Sequence, residues 1–411
     1  MQVTQLGNVL WLAISITFAS LTFASPLVTG DIHSHTLTIA HQELGLLTIA
    51  FEASSESPSL RLISTTPAGV RPGWLCSRGK NIYSVARTGY PDGKAEAGAI
   101  FACASTCTNT TLKHIGNVSS QGEGACHCGV SPDGRLLSVA NIDGSSVTIH
   151  PRYRNGTIGD ASHLFTYTLA APGPGHDDSQ IQPNPHQTIF SPSGDYMFVP
   201  DRGADLVYVY HIATDKVTRL ADVQVLPGTG PRHASFFRIS ETESLMILVG
   251  ELDNTLRVYR VAESSALANV DMTLLQTIST LGAGLNRTHP DGVDLASEVA
   301  ISPDGKYVYA ANRHTSSFDS DFLAIYSLDA ASTSQPLKWL GRNDTMGKIP
   351  RHFSLSQGEG EYLAVLNQVT NDLQVFGRDI DSGFLTKRLA KLEFGELTTD
   401  LDVGPIAVLW N

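Results

Sequence analysis

The segment SEVAISPDGKYVYAANR, residues 297–313, contains an apolar strand, a Ser-Pro-Asp-Gly turn and a second apolar strand in immediate succession. Pro and Gly between two β-rich runs are typical of a tight hairpin. The turn recurs as SPDG at 131–134 and as SPSG at 191–194, and a degenerate copy is present as SQGEG at 356–360. A hairpin that returns along the chain indicates a repeat architecture.

The hairpins recur about every 55 residues, or at twice that interval where a copy has degenerated. Weak copies fit FRISETES at 237–244 and CSRG at 76–79. Each unit continues into a third strand and a weaker fourth, and the clearest third strands are LVYVY at 206–210, LRVY at 256–259, FLAIY at 322–326 and LQVF at 373–376. About seven such units predict an all-β fold, a seven-bladed β-propeller with four-stranded antiparallel blades. We expect residues 406–410 to pair with residues near 36–40 and so to close the ring.

Composition limits the class of protein. The 411 residues are 42% apolar and 17% charged, with 36 Gly and 20 Pro, which fits a globular chain rich in turns. The 40 acidic and 28 basic residues give a net charge of −12. That field repels phosphate backbones, so we expect no nucleic-acid partner, and an anionic ligand would need a local Arg cluster. A mean hydropathy of −0.03 argues against a polytopic membrane protein.

The N-terminus resembles an export signal. Residues 9–19 form an apolar run too short to span a membrane, and small residues follow it, although no Lys or Arg precedes it. We therefore expect a signal peptide over 1–24, one propeller domain over 25–411 and a secreted protein, with a buried strand as the alternative for the apolar run. Five glycosylation sequons point the same way: Asn109, Asn117, Asn155, Asn286 and Asn343. Contact with an extracellular matrix or cell wall is left open.

Export permits disulfides, and the chain has five cysteines. The spacing of Cys103 and Cys107 allows them to pair, whereas Cys126 and Cys128 on one strand would lie too far apart for an easy mutual bond. The partner of Cys76 stays open. Cys126-His127-Cys128 lacks further ligands at suitable spacing, so no metal site is predicted.

Polar residues collect at one end of the predicted hairpins. The turn occupies one end, so residues before the first strand and after the second gather at one mouth of the central channel. The charged and imidazole side chains at these positions include His127, His186, Arg202, Arg232, His233, Glu251, Glu298, Arg313, Arg351 and His352, with Gln368 beside them. Burying them is costly unless they pair or bind a ligand, which predicts an anion and acid–base site. The alternatives are that PRH at 231–233 and 350–352 ties one blade to the next, and that Glu251 is a buried salt-bridge partner.

Four motifs carry a family resemblance: PRHA at 231–234, GELDNT at 250–255, SEVAISPDG at 297–305 and PRHF at 350–353. They resemble the seven-bladed lactonase family, which includes propeller-type 6-phosphogluconolactonase and the fungal 3-carboxy-cis,cis-muconate lactonising enzyme. The resemblance covers about residues 70–410. It implies a catalytic set of His186, Arg232, Glu251 and Arg313, which match the muconate enzyme position by position. The other mouth residues are expected to bind substrate: His127, His233, Glu298, Arg351, His352 and Gln368.

The resemblance implies a cofactor-independent enzyme acting on a small anionic carboxylate or lactone. The first expectation is an isomerase or intramolecular lyase like carboxymuconate cyclase, in which Arg232 and Arg313 bind carboxylates and Glu251 or His186 transfers the proton. One alternative is a lactone hydrolase of the 6-phosphogluconolactonase type, in which the same Glu or His activates water. The other is a non-catalytic secreted glycoprotein or adhesin on the same scaffold.

Overall fold

The computed structural model describes residues 33–411, apart from residues 55, 107–110, 175–176, 215, 283–293, 314–318 and 399. Within these ranges the strands form seven antiparallel sheets, which confirms the predicted seven-bladed β-propeller. The predicted signal peptide lies outside the described residues. No helix in the described ranges is long and apolar enough to cross a membrane.

The strands of the first three blades follow the chain in order. Blade one contains β1 (His33–His41), β2 (Gly45–Ala53) and β3 (Ser59–Thr66). Blade two contains β4 (Val70–Arg78), β5 (Asn81–Thr88), β6 (Ala97–Ser105) and β7 (Leu112–Glu123). Blade three contains β8 (Ala125–Val130), β9 (Leu136–Asn141), β10 (Ser146–Pro151) and β11 (His163–Thr166).

The remaining blades repeat this order. Blade four contains β12 (Ile189–Phe190), β13 (Tyr196–Asp201), β14 (Leu206–Ile212), β15 (Val217–Arg219) and β16 (Val223–Gln224). Blade five contains β17 (Pro231–Arg238), β18 (Glu243–Gly250), β19 (Thr255–Ser264) and β20 (Asn269–Ser279). Blade six contains β21 (Leu295–Ile301), β22 (Tyr307–Arg313), β23 (Phe322–Leu328) and β24 (Leu337–Asp344). Blade seven contains β25 (Pro350–Leu355), β26 (Tyr362–Asn367), β27 (Asp372–Arg378) and β28 (Leu385–Glu393), and the chain ends with β29 (Pro405–Trp410). Two short 3-10 helices, Asp177–Gln180 and Ser265–Leu267, lie between strands.

The two ends of the described chain close the ring. Strand β29 pairs with β1, with Trp410 opposite Leu37 and Ala407 opposite Ala40, and becomes the innermost strand of blade one. This is the closure that the sequence predicted. The innermost strands of neighbouring blades contact one another, and between blades four and five β17 contacts β13, which sets the first residues of the blades side by side around the axis.

The repeated turn has a simple physical basis. In SPDG at 302–305, the Ser302 hydroxyl accepts a hydrogen bond from the Tyr307 amide at 2.9 Å and donates to Asp304. The glycine at 305 has φ +69°, a conformation that other residues adopt at a cost. The turn therefore lies at the end of each hairpin opposite the end that carries the polar residues.

Apolar residues between the blades form the core. Ile247 and Val258 of blade five pack with Val308 and Ala324 of blade six, and all four are fully buried. Similar clusters occupy the other inter-blade layers of the described chain. Because each sheet is covered on both faces, the innermost strands are held rigidly at the axis.

A disulfide joins blades two and three. Cys76 on β4 bonds to Cys128 on β8, with the two Cα atoms 5.8 Å apart. Cys103 and Cys126 have free, buried thiols. Cys103 therefore does not form the pair with Cys107 that its spacing allowed, because β6 carries its side chain into the core; Cys107 itself lies outside the described residues.

The sequons differ in their surroundings, and their glycosylation stays a prediction. Asn117 and Asn155 are exposed, as a glycan would need. Asn343 is half-buried, and its amide exchanges two hydrogen bonds with the Leu385 backbone. Asn109 and Asn286 lie outside the described residues.

Candidate active site

The predicted catalytic residues lie at the ends of neighbouring hairpins. Arg232 is the second residue of β17, and Glu251 directly follows β18, where its amide donates to the Gly230 carbonyl at 2.9 Å. Arg313 is the last residue of β22. His186 donates its amide to the Pro200 carbonyl at 2.9 Å, which places it at the entrance of blade four. The hairpin register therefore brings residues distant in sequence to one mouth of the channel.

Glu251 lies among three guanidinium groups. Its Oε1 is 3.1 Å from Arg202 Nη1 and 3.2 Å from Arg313 Nη2, and its Oε2 is 2.8 Å from Arg232 Nε. The last contact is an ion pair whose N–H is not aligned for a hydrogen bond. Arg202 is the member that the sequence did not place in the catalytic set, although its position after the second strand of a hairpin marked it as a mouth residue.

The three arginines determine the ionisation of Glu251. Burial alone would raise the pKa of this carboxyl, but Arg313, Arg202 and Arg232 together hold the pKa well below its ordinary value. Burial, followed by the charge of Arg313, lowers the pKa of Arg232 to about 10, so this guanidinium remains cationic at neutral pH. Glu251 is consequently a carboxylate at neutral pH and a weak base.

The cluster carries more positive than negative charge. Three guanidinium groups face one carboxylate. Burial lowers the pKa of Arg351, and the nearby charges of Arg232 and Arg313 lower it further. The buried Nε–H groups of Arg202 and Arg313 have no hydrogen-bond partner among the described residues. Unpaired donors beside excess positive charge are a suitable arrangement for binding an anion.

A layer of aromatic rings lies beside this cluster. Trp74 on β4 contacts His127, His233 and His352, with ring centroids 4.8, 4.9 and 4.6 Å away. Sequence reasoning missed Trp74, although the PGW at 72–74 aligns with the PRH motifs of two other blades. Its indole lies among the imidazoles that blades three, five and seven supply.

His186, His233 and Glu298 form a chain. His186 Nδ1 is 3.1 Å from His233 Nε2, and His233 Nδ1 is 2.8 Å from Glu298 Oε2. All three residues are buried. His186 thus lies at one end of a hydrogen-bonded series that spans three blades.

Several predicted binding residues use their polar atoms between blades. His127 Nδ1 accepts from the Thr188 amide at 3.4 Å, and His352 Nδ1 accepts from the Val408 amide at 3.2 Å. The Gln368 amide donates to Gln42 Oε1 at 3.0 Å and to two backbone carbonyls, while its oxygen accepts from Arg351 at 3.3 Å. The contact of His352 with Val408 matches the alternative that PRH at 350–352 ties one blade to the next. Substrate binding by His127, Arg351, His352 and Gln368 stays a prediction.

Metal ligands do not cluster in the described part of the chain, where no group of three His, Cys, Asp or Glu side chains is arranged to hold an ion.

Comparison with known proteins identifies relatives along most of the chain. A family model described as "Lactonase, 7-bladed beta-propeller" matches residues 36–401. A "Probable 6-phosphogluconolactonase" of Arthroderma benhamiae is 27% identical over 378 residues, covering 90% of this chain and 89% of the relative. A 6-phosphogluconolactonase of Formosa agariphila is 26% identical over 345 residues, covering 82% and 90%.

Solved structures show the same fold. A periplasmic gluconolactonase of Pseudomonas aeruginosa superimposes with a TM-score of 0.75 at 24% identity, covering 92% of this chain and 99% of that one. At this identity the likeness concerns the fold alone.

Proposed function

Because this chain belongs to the seven-bladed β-propeller lactonase family, we propose that it hydrolyses the ester bond of a small anionic sugar lactone. The observation that carries the proposal is the cluster of Arg202, Arg232 and Arg313 around the single carboxylate of Glu251. Relatives named 6-phosphogluconolactonase, with coverage of most of both chains, support a phosphorylated sugar lactone as the substrate class.

The arginines bind and polarise the substrate. A net charge of −12 repels an anion from most of the surface, so its binding energy must come from this local cluster. A guanidinium offers paired donors to a phosphate or carboxylate, and another donates to the carbonyl oxygen as it becomes negative in the transition state. Glu251 holds the three guanidinium groups in place against their mutual repulsion.

His186 is the general base in this proposal. The sequence left Glu251 and His186 as alternatives, and the guanidinium contacts that occupy both oxygens of Glu251 favour His186. The Nε2 atom of His186 makes no hydrogen bond within the described ranges and is available to take a proton from water. Hydroxide adds to the lactone carbonyl, the ring C–O bond breaks, and the proton returns to the departing oxygen.

The lactonising alternative uses the same residues, but the named relatives support hydrolysis. We also propose that the protein is exported. The predicted signal peptide and sequons support this, and so does the disulfide between Cys76 and Cys128, since such bonds persist in oxidising compartments. A non-catalytic binding role is the second candidate function, because export would also suit such a role.

The test is turnover by the chain from residue 25 onward. We expect hydrolysis of 6-phosphogluconolactone, followed by titration of released acid, with kcat/KM at least about tenfold above that for unphosphorylated gluconolactone. Arg313→Gln should reduce this preference, whereas Arg135→Gln, at an exposed turn, should not. Turnover of carboxymuconate but of neither lactone would favour the cyclase-like activity. Turnover of none of these compounds would refute the proposal that the protein is an enzyme of this kind.

A further inference from the structure

We propose that His233 and Glu298 form a proton relay behind His186, with Glu298 as the final acceptor of the proton that His186 takes from water. The inference rests on the proposed lactone hydrolysis. It assigns to His233 and Glu298 a positioning role through His186, different from the direct substrate contact that the sequence predicted.

The hydrogen bonds set the direction of the chain. Glu298 Oε1 accepts from the Val299 amide at 3.1 Å, and Glu298 Oε2 is 2.8 Å from His233 Nδ1 and 3.8 Å from His352 Nε2. Arg232 Nη1 also lies 3.3 Å from His233 Nδ1, but the contact of Nδ1 with the carboxylate of Glu298 is shorter. With Glu298 ionised, His233 therefore donates from Nδ1 and accepts at Nε2, so His186 donates from Nδ1 over 3.1 Å. The Nε2 atom of His186 then has a free electron pair, as a general base requires.

His186 would be a weak base without this chain. Burial, and then the charge of Arg232, hold the pKa of His186 well below its ordinary value, because an imidazolium there is desolvated and repelled. Glu298 has the opposite tendency, since burial raises the pKa of its carboxyl against the effects of His352 and Arg232. Burial therefore disfavours an imidazolium at the His186 end of the chain and favours a protonated carboxyl at the Glu298 end.

The transfer balances. An O–H bond of water breaks and Nε2–H forms on His186; Nδ1–H of His186 moves to Nε2 of His233; Nδ1–H of His233 moves to Oε2 of Glu298. The hydroxide bonds to the carbonyl carbon, and the negative charge lost by Glu298 appears on the carbonyl oxygen beside the arginines. Reversal delivers the proton to the departing ring oxygen. In Ser-His-Asp triads the carboxylate stays ionised, but here the guanidinium groups raise the free energy of an imidazolium.

The titratable and charged groups that face the relay come from several blades. They are Cys126 and His127 of blade three, Arg202 of blade four, Arg232 and Glu251 of blade five, Arg313 of blade six, and Arg351 and His352 of blade seven. Any fall in kcat toward acid pH, the acid limb of the profile, therefore reports protonation of the coupled chain and not of one residue.

The kinetic test uses Glu298→Gln. In this variant the side-chain oxygen still accepts from the Val299 amide, so the new NH2 group donates to His233 Nδ1. His233 then donates from Nε2 to His186 Nδ1, and the proton of His186 moves to its Nε2 atom. We expect kcat to fall by about 100-fold or more with KM changed less than about threefold, and the acid limb of kcat to disappear. Glu298→Asp keeps a carboxylate and should restore part of kcat together with the acid limb. Glu263→Gln, a half-buried carboxyl beside Ser193 at the turn end, is the matched control and should keep wild-type kcat.

A second readout does not need turnover. Nitrogen NMR of labelled imidazoles, assigned with His186→Gln and His233→Gln, should show Nδ1–H tautomers for both residues in the wild type and Nε2–H tautomers in Glu298→Gln. Wild-type kcat in Glu298→Gln, a rise in KM alone, or unchanged tautomers would overturn the relay. If the wild type hydrolyses no lactone, the proposed function fails, and the tautomers still support or overturn the relay.

Discussion

Replacing Glu251 by Gln removes the carboxylate that neutralises the arginine cluster while keeping the side-chain shape. Glu251 is 2% exposed and Arg232 is 1% exposed, so water does not solvate the cation that remains. Breaking a buried ion pair by removing one partner costs about 3–5 kcal/mol. The side chain of Arg202 is 23% exposed, so its pair adds less. We therefore expect the free energy of unfolding to fall by about 3–5 kcal/mol.

Urea unfolding of both proteins, followed by tryptophan fluorescence, measures this loss. Inorganic phosphate should raise the midpoint of Glu251→Gln more than that of the wild type, because the unpaired arginines bind anions and bound ligand stabilises the folded state. Glu263→Gln is the control for loss of a partly buried carboxyl elsewhere. A loss below about 1 kcal/mol, or an equal response to phosphate, would refute the argument that Glu251 balances the cluster.

The same residue predicts a pH dependence. The pKa of Glu251 is lower in the folded protein than in the unfolded chain, where it is about 4.3. Its stabilisation is therefore fully present above that value and is lost as the pH falls toward the folded pKa. Wild type should lose stability more steeply than Glu251→Gln below about pH 4.3; parallel curves would contradict the assigned shift.

Three further predictions concern other parts of the propeller. Cys76→Ser should lower the free energy of unfolding by about 2–4 kcal/mol, because the disulfide closes a long loop. Cys103→Ser, at a free thiol, should leave the response to reducing agent unchanged. Thermal unfolding of both variants with and without dithiothreitol measures these effects. Burial raises the pKa of Asp201 to about 6, so the free energy of unfolding of the wild type should fall as the pH rises from about 4 to 6. Asp201→Asn should abolish this dependence on pH, which urea unfolding across the same range measures. An unchanged dependence in the variant would exclude Asp201 as its source. Ser302→Ala removes the hydroxyl that organises an SPDG turn and should cost about 1 kcal/mol with unchanged lactone KM; a change in KM would place that turn near the substrate.

Much of the fold followed from local chemistry. The SPDG turns mark hairpins because Ser, Asp and Gly each satisfy a local requirement, and their spacing implies the number of blades. The pairing of 406–410 with 36–40 was also predictable, since apolar strands at the two ends of a repeat array have no other partner. The pairing of Cys76 was not, because its partner on β8 is set by how two blades pack.

The amino-acid sequence by itself determined which residues reach one mouth of the channel, because a two-residue side-chain period and a repeated turn place them at the same end of each hairpin. Only the tertiary structure decided their partners, since those partners come from different blades. It surrounds Glu251 with three arginines, which lower its pKa, and it aligns His186, His233 and Glu298 across three blades. Ionisation depends on distances of a few ångströms between such groups, and no pattern along one strand specifies those distances.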